Sequence, residues 1–346
     1  MKPYIVFSNS MRLLCIIFSG LFILLVCKSQ AQRINEKYIK RFPHSITTRG
    51  FLGTKPNEFK LEDNRTSGLL SYRVATAPRF GGGISYKWFS FASSLFKINE
   101  PNENQKGITN QFDLQWNFFM RLLSIDLRIQ RHEGYYLENS SVIKNWDQTK
   151  DDLYQRFDLI TASVGGNIRY NFNYQKYSPR AIFTQTERQL KSAGSPSFGF
   201  RWNFLSVKSD SSIVPENIES TFANFNLNQL FFSDIGFGLG YDYTFIRDKW
   251  FFNIGLMGFV VHQNVNFYES GMLKKQIGLQ VNFQTRTALG YSNDNMYIGF
   301  TAVSDQMYSN WQNTKNIIYS FSKIRFIFAR RIQKLTNQVE KIEIWN

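Results

Sequence analysis

The stretch QIGLQVNFQ, residues 276–284, decides the fold. Ile277, Leu279, Val281 and Phe283 alternate with Gln276, Gly278, Gln280, Asn282 and Gln284. Successive side chains of a β-strand point to opposite faces, so this segment is an extended strand with one apolar face and one amide- and glycine-lined face. The pattern recurs. Leu123, Ile125, Leu127 and Ile129 oppose Ser124, Asp126, Arg128 and Gln130, and Phe198, Phe200, Trp202 and Phe204 oppose Ser197, Gly199, Arg201 and Asn203. Such segments run from about residue 45 to residue 330.

Two architectures share this alternation. A soluble exported β-sandwich turns the apolar face inward, whereas a transmembrane barrel turns it to lipid. Segment length favours the barrel. Ile235 to Ile246, Trp250 to His262 and Gln276 to Gly290 exceed the roughly six residues usual in sandwiches and reach the ~9–11 that a spanning strand needs. The apolar face is also rich in aromatics, which supply 17% of the chain, with 34 Phe against 8 Pro. The expected fold is therefore an all-β, transmembrane, antiparallel up-and-down β-barrel of about twelve strands, with about ten to fourteen as the range.

Composition agrees. Beyond the first thirty residues no segment has 18 consecutive apolar residues, which excludes a bundle of membrane helices. A mean hydropathy of −0.31 is compatible with strands that alternate lipid-facing and lumen-facing side chains.

The first thirty residues differ in kind. Lys2 and Arg12 precede Leu13 to Cys27, fifteen residues without charge, and Ser29 and Ala31 are small residues placed for cleavage before Gln32. This is the pattern of a secretory signal peptide, and fifteen apolar residues fall short of the ~20 of a membrane helix. The expected organisation is a signal peptide at 1–31, an N-terminal periplasmic lead at 32–43, a barrel at 44–330 and a C-terminal tail at 331–346. Cleavage would remove both cysteines, Cys15 and Cys27, leaving no disulfide framework. It would also lower the formal charge from +15 to +12, since Lys2, Arg12 and Lys28 leave with it. For an exported basic protein the counter-charges are membrane lipid and anionic glycolipid, in a bacterial outer membrane, and no nucleic-acid motif is present.

Arg121-Leu122, Arg247-Asp248 and Ser292-Asn293-Asp294 read as tight hairpin connections, and 99–107, 134–156, 209–229 and 264–274 as longer polar loops. Thr149 to Gln155 has the composition of one helical turn. Gly236, Gly238 and Gly240 fall on the inward phase, where a narrow barrel leaves little room.

Few constellations carry chemistry. His44, His132 and His262 are scattered, so no metal-ligand spacing exists. Gly81-Gly82-Gly83 lacks a following Lys-Ser/Thr and reads as a strand start. His44-Ser45 stands on adjacent strand positions, whose side chains point apart, so the pair cannot form a nucleophile–base couple. No cofactor is expected. The informative set is Asp113, Asp126, Arg128, Arg169, Arg201, Asp242 and Arg286, all on the polar phase of their strands. Charges inside a barrel need water or one another, so these residues line an aqueous channel or close it as a salt-bridged plug.

Residues 170–200, YNFNYQKYSPRAIFTQTERQLKSAGSPSFGF, carry an aromatic-Asn strand end at Asn171-Phe172, a Ser178-x-Arg180-Ala181-x-Phe183 strand, and Lys191-Ser192-Ala193-Gly194-Ser195. This block resembles that of a Bacteroidetes outer-membrane family catalogued as domain of unknown function 4421. Gly83-x-Ser85-Tyr86-Lys87, Gly134-Tyr135-Tyr136 and Phe321-x-Lys323-Ile324-Arg325-Phe326 extend the likeness. After Tyr72 the chain lacks the family's Pro-Asn turn, and Ala77-Pro78 comes later. The resemblance implies an outer-membrane barrel and brings no activity or site residue with it. Lys191 to Ser197 itself reads as a tight loop.

The function expected from these readings is a non-enzymatic outer-membrane barrel: a narrow pore, a binder of an amphipathic or anionic ligand, or a membrane-organising protein. The alternatives are a lipid- or glycolipid-modifying enzyme and the soluble sandwich.

Overall fold

Alternation of this kind leaves each strand with two usable faces, and the chain closes on itself to use both. The computed structural model describes residues 33–332 except 66, 88, 99–102, 145, 148–152, 216–217, 219–226, 270–271 and 312–314. The leader read at 1–31 and the tail beyond Ile332 lie outside the described residues. The strands are β1 (Ile39–Arg41), β2 (Ile46–Thr54), β3 (Asn57–Asp63), β4 (Gly68–Arg73), β5 (Arg79–Tyr86), β6 (Phe89–Lys97), β7 (Asn110–Phe119) and β8 (Leu123–Leu137). There follow β9 (Tyr154–Asn171), β10 (Glu187–Gln189), β11 (Ala193–Lys208), β12 (Leu227–Arg247), β13 (Trp250–Glu269), β14 (Met272–Ser292), β15 (Met296–Trp311) and β16 (Lys315–Ile332).

Ten strands form a closed antiparallel ring, in the order β15, β14, β13, β12, β11, β9, β8, β4, β3, β16 and back to β15. Beside this ring β2 continues β3 end to end along β16: Lys315–Phe321 pairs with β3 and Ile324–Ile332 with β2. The break falls at Lys55-Pro56, where proline has no N–H to give the ladder. In the same way β5 continues β4, with Pro78 in the gap. Counted as passes of the chain along the wall, the described strands make twelve, because β6 and β7 lie between β5 and β8.

The connections Arg121-Leu122, Arg247–Trp250 and Ser292–Met296, with both chain ends of the described region, gather at one end of the barrel. A small β1–β10 sheet sits there, so the N-terminal lead is partly ordered by pairing Ile39–Arg41 with Glu187–Gln189.

The outward face is apolar. Ile235, Phe237, Leu239 and Tyr241 on β12 are 47–72% exposed, and Ile277, Leu279, Val281 and Phe283 on β14 are 47–71% exposed. Exposed apolar area of this extent surpasses the few hundred Å² that water tolerates on a monomer, and it has the chemistry of a lipid-facing wall. No helix of the described residues is long and apolar enough to cross a membrane.

Several local expectations are corrected. Residues 264–274 are mostly ladder, since β13 runs to Glu269 and β14 starts at Met272. Of the helical turn read at Thr149 to Gln155, residues 149–152 lie outside the described residues, and Tyr154 and Gln155 begin β9. Ser178 to Phe183 is not a strand: Pro179–Phe183 is a helical turn whose N-cap, Ser178, accepts a hydrogen bond from the Ala181 N–H. Ala193 to Ser197 belongs to β11 instead of a turn. Leu123 and Ile125 face outward yet are buried, packed with Met120, Leu122 and Tyr174.

Candidate functional site in the lumen

Three layers fill the interior. At the end carrying the long connections, Phe59, Tyr72, Leu137, Leu205, Leu227, Phe267 and Tyr319 form an apolar cluster with Ile143, Ile213 and Ile218 from the folded-in connections. An isolated bridge joins Ile143 to Ile218 across that end. Here strands turn apolar side chains inward as well as outward, so this layer is a hydrophobic core of the soluble kind.

At the opposite end the segment 178–189 enters the barrel mouth. Ile182 packs with Phe51, Phe251, Ala288, Tyr297 and Ile327, which come from β2, β13, β14, β15 and β16. Arg180 donates to the Phe119 carbonyl at 2.7 Å, and Arg331 donates from Nε to the Gln185 carbonyl at 2.8 Å. Ser178 Oγ donates to Glu187 Oε2 at 2.6 Å. Burial holds the Arg180 guanidinium below its usual basicity and pushes the phenol of Tyr177 well above its own.

Between these plugs lie the charges. Asp305 on β15 is the hub: Arg201 of β11 pairs with it, Arg128 of β8 approaches at 3.5 Å, and Gln284 of β14 donates to it at 3.1 Å. Arg169 of β9 pairs with Asp242 of β12 at 2.6 Å and reaches Gln284 at 2.8 Å. Arg286 of β14 pairs with Asp126 of β8, which also accepts from Asn117 at 2.6 Å. Asp234 accepts from Gln263 at 2.8 Å and Asn282 at 2.7 Å. Ring faces complete the cation shells, with Arg128 3.7 Å over Phe321 and Arg201 5.4 Å over Phe259.

Close packing explains the glycines opposite these rings. A Cβ on Gly238 would lie 2.4 Å from the Gly258 carbonyl and 2.6 Å from Phe259, and one on Gly199 would lie 2.2 Å from Met257. The bare backbone of β11 and β12 makes the space into which Met257, Phe259 and Val261 turn.

All seven charged residues singled out in the sequence lie on the inward phase, and six of them enter the central network. Asp113 stands apart on β7, where it pairs with Lys55 at 3.1 Å and accepts from Gln130 at 3.2 Å. Asp305, Asp234, Lys55, Lys323, Arg325 and Arg49 escaped sequence reasoning. Charge balance was a usable signal for the first of these. Four arginines against three aspartates leave one cation unpaired, and Asp305 is a mid-strand carboxylate on β15.

The histidines remain separated: His132 is buried in the lumen, His262 faces outward and His44 is exposed near the N-terminal end. Among the described residues no group of three metal-ligating side chains occurs.

The family model described as "Domain of unknown function (DUF4421)" matches residues 33–329. No curated protein matches the chain. Among solved structures, the outer membrane protease OmpT from Escherichia coli aligns at 11% identity over 84% of this chain and 98% of that one, with a TM-score of 0.39. The toluene transporter TodX from P. putida aligns at 8% identity over 84% and 91%, with a TM-score of 0.28. The translocator domain of the autotransporter NalP from Neisseria meningitidis aligns at 8% over 94% and 97%, also at 0.28.

Proposed function

The chain belongs to the family described as domain of unknown function (DUF4421), and from that premise we propose a non-conducting outer-membrane barrel that binds an anionic or amphipathic ligand. The observation that carries this reading is the filled lumen. Asp305, shared by Arg128 and Arg201, ties β8, β11 and β15 together across the interior, between an apolar layer and the Ile182 plug. An aqueous pore would leave its lining charges hydrated; here Arg169, Arg201 and Arg286 are at most 3% exposed. Export through a cleaved leader and residence in the outer membrane fit the apolar outer wall. The separated histidines give the enzyme alternative no nucleophile–base couple to rest on.

Liposome swelling with small sugars tests the reading. Vesicles carrying the refolded protein are expected to swell no faster than empty ones. Swelling that scales with protein content would make the barrel a pore and overturn it.

A further inference from the structure

Among the described residues the barrel wall lacks a ladder between β6 and β7, and also where β14 and β15 part beyond the Gln284–Asp305 pair. β6 pairs only with β5, and β7 pairs only with β8, although the two are neighbours in the wall. At one end the β6–β7 interruption is bridged, where Tyr72 and Arg73 of β4 pair with Leu137 and Tyr136 of β8. Below that bridge the facing edges of β6 and β7 share no register. In hydrocarbon each unpaired backbone group costs several kcal/mol, so a bare edge is a place where the wall takes up something polar.

Behind the seam the lumen is electrostatically unbalanced. Arg49 of β2, Lys55, Arg79 of β5, and Lys323 and Arg325 of β16 all project inward there; Asp113 lies among them, and Asp126, paired with Arg286, stands beside Lys323 across Asn117. Asp113 is engaged with Lys55. Among the described residues no carboxylate lies within ion-pair distance of Arg49, Arg79, Lys323 or Arg325. Lys323 donates to Asn117 at 2.9 Å, Arg79 reaches Gln111 at 3.4 Å, Arg49 meets Ser90 and Gln185, and Arg325 lies 4.3 Å over the Phe51 ring. These side chains are partly exposed, unlike the dry arginines of the central network. The inward residues of β6 beside them, Ser90 and Ala92, are small.

The membrane side of the same seam is aromatic. Phe89, Phe91 and Phe96 on β6 and Phe112 and Trp116 on β7 are outward and exposed. A cationic recess behind an unpaired edge, fronted by rings, matches a molecule with one anionic head and an apolar tail. Both ends of the lumen are plugged, which leaves the wall as the way in.

We propose that the β6–β7 seam takes the carboxylate head of a fatty-acid-class, single-chain amphiphile out of the membrane and into the cluster of Arg49, Lys55, Arg79, Lys323 and Arg325, leaving its acyl chain against the outward aromatics. Depth argues for a single chain. Arg325 lies seven positions from Ile332 at the strand end, well below either surface of a wall built from strands of up to 21 residues. A carboxylic acid crosses hydrocarbon in its neutral form and ionises beside cations, whereas a two-chain phospholipid keeps its permanently charged head at the interface.

The inference rests on the ligand-binding reading above, and the experiment separates the two. Full-length refolded protein in an uncharged detergent is titrated with a dansylated undecanoate, which is then displaced by oleate or by uncharged oleyl alcohol. Oleate is expected to displace at about tenfold lower concentration than the alcohol. Lys323→Gln/Arg325→Gln should abolish that preference while the heat-dependent gel shift persists. Equal displacement by acid and alcohol, or undiminished oleate preference in the double variant, overturns the seam site. If the double variant does not fold, Arg79→Gln replaces it, since that side chain is exposed. A roughly threefold loss of oleate affinity is then expected, and no loss overturns the proposal. Liposome swelling would sink the closed-barrel reading separately, whatever the displacement result.

Discussion

Asp305 and Arg201 form an ion pair across the barrel interior, 104 residues apart in sequence and each about 1% exposed at the side chain. Arg128 shares the same carboxylate. Removing it leaves two buried guanidinium groups without a counter-charge, and breaking a buried pair costs about 3–5 kcal/mol. Asp305→Ala is therefore expected to lower the temperature at which the folded gel band converts to the unfolded one. Asp305→Asn, which keeps an acceptor for Arg201, should lie between it and the parent. An unchanged transition in both would mean that the network contributes no stability.

The plug at the barrel mouth depends on Ile182, which is 1% exposed and belongs to a buried cluster drawn from five strands. Large-to-small substitution at such a site costs about 2–5 kcal/mol. Ile182→Ala should accelerate proteolysis within 178–189 while the β12–β14 wall stays protected. Equal protection of both regions would show that the segment is not held by this side chain.

Two glycines of the wall should behave oppositely. Gly238→Val drives a side chain into the Gly258 carbonyl and Phe259, and overpacking of this kind costs about 1–3 kcal/mol or more. Gly278 has nothing within 4 Å of an added Cβ, so Gly278→Ala is expected to fold as well as the parent. Refolding yields measured by the heat-shifted band distinguish them.

Asp294, in the β14–β15 turn, fastens the small β1–β10 sheet to the barrel end through Lys40 at 2.7 Å and Arg188 at 3.0 Å. Hydrogen bonding from Lys40, followed by that from Arg188, holds its carboxyl below the usual carboxylate range. A depressed folded-state value means the stabilisation is present above the unfolded value near 3.8 and fades as the pH falls through the lower folded one. Hydrogen exchange in 36–41 should therefore rise as the solution is acidified below about pH 4. Asp294→Asn should raise exchange at neutral pH and remove that acid step; a persisting step would assign it to another group.

Much of this architecture is legible in residues 276–284 and their repeats, because a face in lipid and a face in a narrow lumen impose period two, broken at bulges such as those at Phe80/Gly81 and Glu133/Tyr135. The inward arginines are legible for the same reason. Strand ends are less so: Val265 and Phe267 point inward to the apolar layer while Asn264 and Asn266 point outward, and a polar stretch of that composition reads as a loop. β13 also shows why alternation cannot tell inside from outside, since Met257, Phe259 and Val261 point inward and Ile254, Leu256 and Val260 outward. The plug helix had a local signal in Ser178-Pro179, an N-cap followed by proline at the first helical position. The β6–β7 seam had none, because a missing ladder is a property of two strands together.

Planar-bilayer conductance of the refolded protein, recorded on the preparation that shows a heat-shifted gel band, reads directly whether the lumen is closed. A heat shift with no steady current is expected, because the Asp305 network, the apolar layer and the Ile182 plug fill the lumen. A steady, ohmic single-channel current from the same preparation would contradict it.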